Sequence, residues 1–281
     1  MPIQVPFAPL RRVYVRLPVA ADLERWQAYG WRSAPDAARA AEEHAAFRDL
    51  LAEAGGEIVL GAAPTPGDPD AIYAYDPTLV TDEGAILLRP RKVGRRGEPD
   101  VHAEDLRRAG VKVIGRVTEP ATAEGGDMFF LDEGTLLVGR GYRTNETGIE
   151  QLRALLPQVE VIAFDLAHYH GPSECLHLMS FISPLDADLV VGSVPMMPVR
   201  LVELLRERNI SIVEVPEEEF DSMGANVLAL GPRIALALEG NPATRRALEA
   251  VDVDVRTYAG AEISRKGDGG PTCLTRPLDR A

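Results

Sequence analysis

Cysteine is nearly absent from this 281-residue chain: only Cys175 and Cys273 occur, which excludes a disulfide framework and leaves each thiol to packing or to chemistry. Positive charge is also short. Thirty Lys and Arg stand against 43 Asp and Glu, a formal net charge of -13. Phosphate surfaces recruit an excess of Lys and Arg, so nucleic acid and membranes are excluded as partners. No stretch approaches the ~18 uninterrupted apolar residues of a membrane span. The first residues, Met1 to Pro6, have no charged region leading into an apolar one, so no secretory leader is expected. With the unpaired cysteines, this predicts a cytoplasmic protein. No Pro-, Ser- or Gly-rich linker interrupts the middle, and the expectation is one domain over residues 1–281.

What is present is ordinary for a globular protein: 46% hydrophobic and 26% charged residues, enough to build a sizeable core. The acidic surplus fits a cationic small-molecule substrate, although a solvated acidic surface is the commoner reason for such a charge. A homo-oligomer is compatible with the chain.

Secondary-structure patterning adds a repeat. Asp36 to Ala54 reads as an amphipathic helix, with Ala40, His44, Phe47, Leu50 and Leu51 on one face and Gly55-Gly56 as its stop, followed by the strand Glu57–Leu60. Then a strand, a tight turn, a second strand, a helix and a third strand recur four times. The turns Asp82-Glu83-Gly84, Asp132-Glu133-Gly134, Asp186-Ala187-Asp188 and Gly231-Pro232-Arg233 fall 50, 52 and 45 residues apart, counted from Gly84, Gly134, Asp186 and Gly231. Helices follow near Glu98–Gly110, Glu146–Leu156, Pro198–Asn209 and Pro242–Val251, and strands near 111–114, 159–162, 210–213 and 253–255. Four ββαβ units, with an N-terminal piece able to complete a fifth, suggest a pseudo-symmetric closed domain; plain α/β alternation fits the same spacing.

Several residues are candidates for chemistry. Cys273 follows the glycine-rich turn Gly267-Asp268-Gly269-Gly270-Pro271, where backbone can approach a ligand closely; it is a nucleophile or a small buried hydrophobe in the last strand. His177 interrupts the apolar run Leu176–Ile182, read as a strand, and is either a core histidine or a general acid/base. Glu124 precedes Gly125-Gly126-Asp127, as an ordinary turn acid or, beside a histidine, as a carboxylate holding an imidazolium or a guanidinium. Asp76 closes the aromatic stretch that runs from Asp70 through Tyr73 and Tyr75, as a cation anchor or a turn cap. Arg95-Arg96-Gly97-Glu98 and Arg143-Thr144-Asn145 offer guanidinium groups for a substrate carboxylate, with a solvated surface arginine as the default for either taken singly. The grouping His168, His170, Cys175 and His177 invites a metal, but its spacing matches no familiar zinc pattern, and no metal or cofactor is expected.

Taken in order, Tyr75-Asp76-Pro77, Arg95-Arg96-Gly97-Glu98, Glu124-Gly125-Gly126-Asp127, Arg143-Thr144-Asn145, His177-Leu178 and Gly269-Gly270-Pro271-Thr272-Cys273 resemble the guanidino-group-modifying superfamily: dimethylarginine dimethylaminohydrolases, arginine deiminases and amidinotransferases. The resemblance runs from Val15-Arg16-Leu17-Pro18 to Cys273. It implies the pentein, or α/β-propeller, fold of five pseudo-symmetric ββαβ units around a central channel. It also implies Cys273 as nucleophile, His177 as general acid/base, Glu124 as the carboxylate touching guanidinium and histidine, and Asp76 as the second guanidinium anchor. Arg95 and Arg143 then hold the substrate carboxylate, with Arg96 replacing Arg95 if the register slips, and Tyr75 and Asp70 join the substrate site. The implied reaction is hydrolysis of a guanidino C–N bond through a covalent thiouronium on the cysteine, with amidino transfer, an arginine-deiminase-type reaction or a non-catalytic binding role as alternatives. Two departures bear on the substrate. Met179 stands where deiminases carry the acid of His-x-Asp, and Tyr75 stands where dimethylarginine hydrolases often carry an acid.

Overall fold

The computed structural model describes residues 5–280. Among them, five three-stranded sheets repeat one topology, an antiparallel pair followed through a helix by a strand parallel to the middle one. The chain enters at the middle strand of one unit, β1 (Leu10–Val15), and crosses through α1 (Ala37–Glu53) to β2 (Glu57–Leu60). Four complete units follow: β3 (Thr78–Thr81), β4 (Gly84–Leu87), α2 (Glu98–Arg108) and β5 (Val113–Arg116); β6 (Met128–Asp132), β7 (Thr135–Arg140), α3 (Glu146–Leu155) and β8 (Glu160–Asp165); β9 (Ile182–Asp186), β10 (Leu189–Gly192), α4 (Val199–Glu207) and β11 (Ser211–Glu214); β12 (Val227–Gly231), β13 (Ile234–Leu238), α5 (Pro242–Glu249) and β14 (Asp254–Tyr258). The last strand, β15 (Arg276–Arg280), returns to pair antiparallel with β1 and closes the unit that the N-terminus opened. The recurrence is therefore the pentein arrangement, with the fifth unit shared between the two ends of the chain.

Local sequence explains the elements. The Asp36 side chain caps α1 by accepting from the amides of Ala38 and Arg39 at 2.9 and 3.0 Å, and Gly55 at φ +95° ends it in the left-handed conformation. Asn145 caps α3 in the same way, and Pro242 occupies the first turn of α5, where its missing N–H costs nothing.

Burial grades outward along each unit. The strand that comes first in each sheet is almost wholly buried, as in β3, β6 and β12, whereas the third strand is mostly half-buried or exposed, as in β2, β5 and β11. The first strands of all five units meet around one axis. Hydrophobic clusters fill the wedges between neighbouring units, for example Phe129, Phe164, Phe181 and Leu205 between the second and third complete units. The loops at one end of the axis carry the chemistry.

Two sequence expectations are corrected here. His177 does not lie within a strand: it caps the short 3-10 turn Leu178–Ser180, its amide donating to Ser180 Oγ at 2.9 Å, and the strand starts only at Ile182. Cys273 is not in the last strand but in the turn before it, three residues short of β15.

Candidate active site

A cleft of about 670 Å³ opens at that end of the axis, and Cys273, His177, Cys175, Asp76, Arg95 and Arg143 all line it. Close backbone packing brings its floor together. Gly125 donates its amide to the Asp76 carbonyl at 3.0 Å and Gly126 donates to Asp76 Oδ1 at 2.9 Å, so the Glu-Gly-Gly segment and the Tyr75-Asp76 segment lie against each other. A Cβ on Gly125 would come within 2.2 Å of the Tyr75 carbonyl, and one on Gly126 within 2.4 Å of His177 Nδ1; only glycine allows this approach.

Glu124 is fully buried, and each of its oxygens is engaged. Oε1 accepts from the Arg91 amide at 2.7 Å, while Oε2 meets His177 Nε2 at 2.8 Å and Arg143 Nη1 at 3.3 Å. Burial alone would raise its carboxyl, but the hydrogen bond to His177 and the Arg143 charge hold it below the usual range. Asp76 behaves likewise. Desolvation opposes its charge, and His177 and Arg95 overcome that to hold it at about 2. The ligand atoms of Asp76, Glu124 and His177 all lie within 4.8 Å of one another.

His177 is held well above the ordinary imidazole range: desolvation disfavours its charge, but the Cys175 sulfur and the carboxylates of Asp76 and Asp127 outweigh it. An imidazolium has no lone pair for a metal. Among the described residues the sequence grouping His168, His170, Cys175 and His177 does not gather as a ligand set: His168 Nδ1 meets the Tyr142 hydroxyl at 2.8 Å and His170 stacks beside Tyr169 with ring centroids 4.1 Å apart.

Both cysteines reach the cleft. Cys273 is partly exposed and accepts a long contact from Asn226 Nδ2 at 3.7 Å; desolvation, with the Asp76 charge adding and the His177 charge offsetting, pushes its thiol up to about 12. Cys175 is exposed and sits 3.5 Å from His177 Nδ1.

Arg95 is deeply buried and nearly used up: Nη1 donates to Asp76 Oδ2 at 2.6 Å, Nη2 to the Tyr73 carbonyl and Glu98 Oε2 at 2.9 Å each, and Nε to Glu98 Oε1. Arg96 is exposed and does not line the cleft. Asp70 accepts from Trp31 Nε1 at 2.7 Å and pairs with Lys92, which places Lys92 on the rim. Tyr75 is buried with its ring already covered, since the Arg276 guanidinium lies 3.6 Å from the ring centroid.

Neither Lys92 nor Asn226 was singled out from the sequence, Cys175 was grouped with His177 only as a metal ligand, and Glu98 and Asp127 had no part although both stand inside the quoted motifs. Asp127, buried, accepts from the Leu178 amide at 3.1 Å and so anchors the turn that presents His177; desolvation pushes its carboxyl up to about 7. A carboxylate next to the Gly-Gly pair was the signal available for it.

The family profile described as "N,N dimethylarginine dimethylhydrolase, eukaryotic" matches residues 27–280. An N(G),N(G)-dimethylarginine dimethylaminohydrolase from Streptomyces coelicolor is 31% identical over 274 residues, covering 95% of this chain and 96% of that protein; its Pseudomonas aeruginosa namesake is 29% identical over 255 residues, covering 86% and 89%. An arginine deiminase from Mycobacterium avium is 30% identical over 267 residues, covering 80% and 63%. Among solved structures, the Pseudomonas aeruginosa dimethylarginine dimethylaminohydrolase complexed with citrulline superposes with a TM-score of 0.77 at 25% identity, over 95% of this chain and 98% of that one. The N-terminal domain of a cyanobacterial arginine dihydrolase shares the fold with a TM-score of 0.80 at 21% identity, over 96% and 97%. The buried Asp–Glu–His cluster, the cleft cysteine and the five-unit fold thus accompany a match over nearly the whole chain, which belongs to the dimethylarginine dimethylaminohydrolase family of hydrolases acting on C–N bonds.

Proposed function

We propose that the chain hydrolyses the C–N bond of a methylated arginine or a close guanidino relative, with Cys273 as nucleophile and His177 as proton carrier. The observation that carries this reading is the convergence of Asp76, Glu124 and His177 within 4.8 Å, with Asp76 and His177 lining the same cleft as Cys273 and Glu124 buried behind them. A guanidinium carbon is a poor electrophile because its charge is delocalised, so catalysis depends on fixing the plane and attacking across it. Asp76 and Glu124, both held ionised, are suited to accept the guanidinium N–H groups.

In this reading the Cys273 thiol gives up its proton to solvent when the cation binds, and the thiolate adds to the guanidinium carbon. The C–N bond to the substituted nitrogen then breaks as His177 passes its proton to the departing amine, leaving a thiouronium on Sγ. Neutral His177 next takes a proton from water as it adds to the same carbon. The C–S bond breaks, the urea-type product leaves, and cysteine and imidazolium are restored. Glu124 steadies the imidazolium through its 2.8 Å contact.

Arg143, at the cleft wall and bonded to Glu124, is proposed to hold the substrate carboxylate. Arg95, with most of its N–H groups committed to Asp76, Glu98 and Tyr73, is proposed to act on the substrate chiefly by fixing Asp76. Asp70 contributes by holding Lys92 at the rim, and Tyr75 by carrying Asp76. Met179 is buried and lines the cleft where a deiminase's second acid would be, which favours an alkylated nitrogen over a bare one. The test is turnover of methylated arginines, arginine and simpler guanidino compounds, read as amine, ammonia and urea-type product. Amine release that disappears in Cys273→Ser is expected, and no turnover by the wild type across the panel would contradict the proposal.

A further inference from the structure

Behind the cleft floor the propeller axis holds a second, smaller cavity of about 40 Å³, walled by the first strands of all five units. Its lining is mostly apolar, with Thr272 and Tyr75 as neutral polar side chains and two guanidinium groups, Arg276 and Arg280, which are 4% and 6% exposed, as the charged ones. Elsewhere in this protein a buried arginine faces a carboxylate: Arg16 pairs with Asp105 at 2.9 Å and Arg95 with Asp76 at 2.6 Å. Among the described residues the axial pair does not. Arg276 donates to the Tyr75 carbonyl and lies on the Tyr75 ring, and its Nε is buried with no acceptor among the described residues. Among the described residues Arg280 donates only to backbone, to the Ala8 carbonyl at 2.6 Å and the Ala229 carbonyl at 2.9 Å. The acid whose charge Arg276 feels is Asp76, and both Asp76 oxygens are already engaged, by Gly126 and Arg95.

Two buried cations facing one cavity repel each other, and a guanidinium cannot relieve the cost by losing its proton as lysine or histidine does. Desolvation pulls Arg280 down only to about 10, so it stays charged at neutral pH. A buried charge needs a partner of opposite sign. The cavity is too small for an amino acid and large enough for one small ion, since a single water needs roughly 10–15 Å³. We propose that the axial cavity is an anion site, in which Arg276 and Arg280 bind one small monovalent inorganic anion such as chloride. The site is separate from the catalytic cleft, but Arg276 links the two: it touches the carbonyl and ring of Tyr75, next to Asp76, and stands three residues from Cys273. An anion that seats Arg276 therefore also seats the guanidinium anchor of the cleft.

The first test is crystallographic and uses the wild-type chain. Crystals of the full chain grown or soaked in bromide should show an anomalous difference peak on the axis, in contact with Arg276 and Arg280. In solution, at constant ionic strength, replacing gluconate with chloride should raise Tm along a saturable curve that is flat in Arg280→Met. Absence of bromide from the axis overturns the proposal, as does an axial peak in a protein whose Tm shows no saturable response to chloride. If Arg280→Met does not fold, the bromide map and the wild-type chloride curve decide between them.

Discussion

Filling the space between Asp76 and Glu124 with a guanidinium cation should ionise Cys273. In the free protein its thiol is pushed up to about 12, by desolvation first and by the Asp76 charge second. At pH 7.5 that leaves on the order of one thiolate in 10⁴ to 10⁵ molecules. A bound cation changes both sides of this balance: it neutralises the carboxylate that disfavours the thiolate and sets a positive charge beside Sγ. A unit charge at ~4 Å with an effective dielectric of ~20 is worth about 4 kcal/mol. At ~1.4 kcal/mol per pH unit, this moves the ionisation roughly three pH units toward neutrality. The assay is thiolate absorbance near 240 nm, wild type minus Cys273→Ser, titrated with and without a saturating alkylguanidinium that is not turned over. The difference spectrum removes Cys175. The expected result is no Cys273 thiolate below about pH 10 in the free protein, and its appearance about three pH units lower with ligand. A Cys273 thiolate already present below pH 8 without ligand, or a titration that the ligand does not move, would refute the reasoning.

Other outcomes follow from buried groups. His44 sits fully buried on α1 against Phe47 with neither ring nitrogen hydrogen-bonded, and desolvation lowers it from 6.5 to about 4. Between those values the unfolded chain binds the proton and the folded one does not, so stability is complete above pH 6.5 and falls as pH drops toward 4, by about 3 kcal/mol in all. Urea midpoints should therefore drop less between pH 7 and 4 in His44→Leu than in the wild type; an equal drop would show that His44 is not the group responsible. Arg95→Gln leaves the buried Asp76 without its guanidinium and should cost about 3–5 kcal/mol in denaturant titrations while raising KM. A variant as stable as the wild type would show that Arg95 does not support Asp76.

The repeating units were legible because helix and strand periods are local. The four helices read near Glu98, Glu146, Pro198 and Pro242 begin within one residue of their observed starts, and the third strands within two. The fifth unit was only half legible, because β15 comes from the opposite end of the chain and pairing across that distance leaves no pattern in either segment. The run around His177 was misread as a strand because Leu176 to Ile182 is apolar almost throughout. What bends it is a side-chain bond, Ser180 Oγ accepting from the His177 amide, together with the anchor from Asp127 to the Leu178 amide. Site residues inside short motifs, such as Glu124 and Asp76, could be named from their neighbours. Asn226 and Lys92 could not, since tertiary packing alone brings them to Cys273 and Asp70.

The two cysteines with which the chain is so sparingly supplied define the most direct test. Both lie in the cleft, and the one nearer to His177 in sequence, Cys175, touches its ring. Incubation with a guanidino substrate, acid quench and peptide mass spectrometry locates the covalent intermediate. The added amidino mass is expected on the peptide carrying Cys273 and is lost in Cys273→Ser. The same mass on Cys175, persisting in Cys273→Ser, would contradict it.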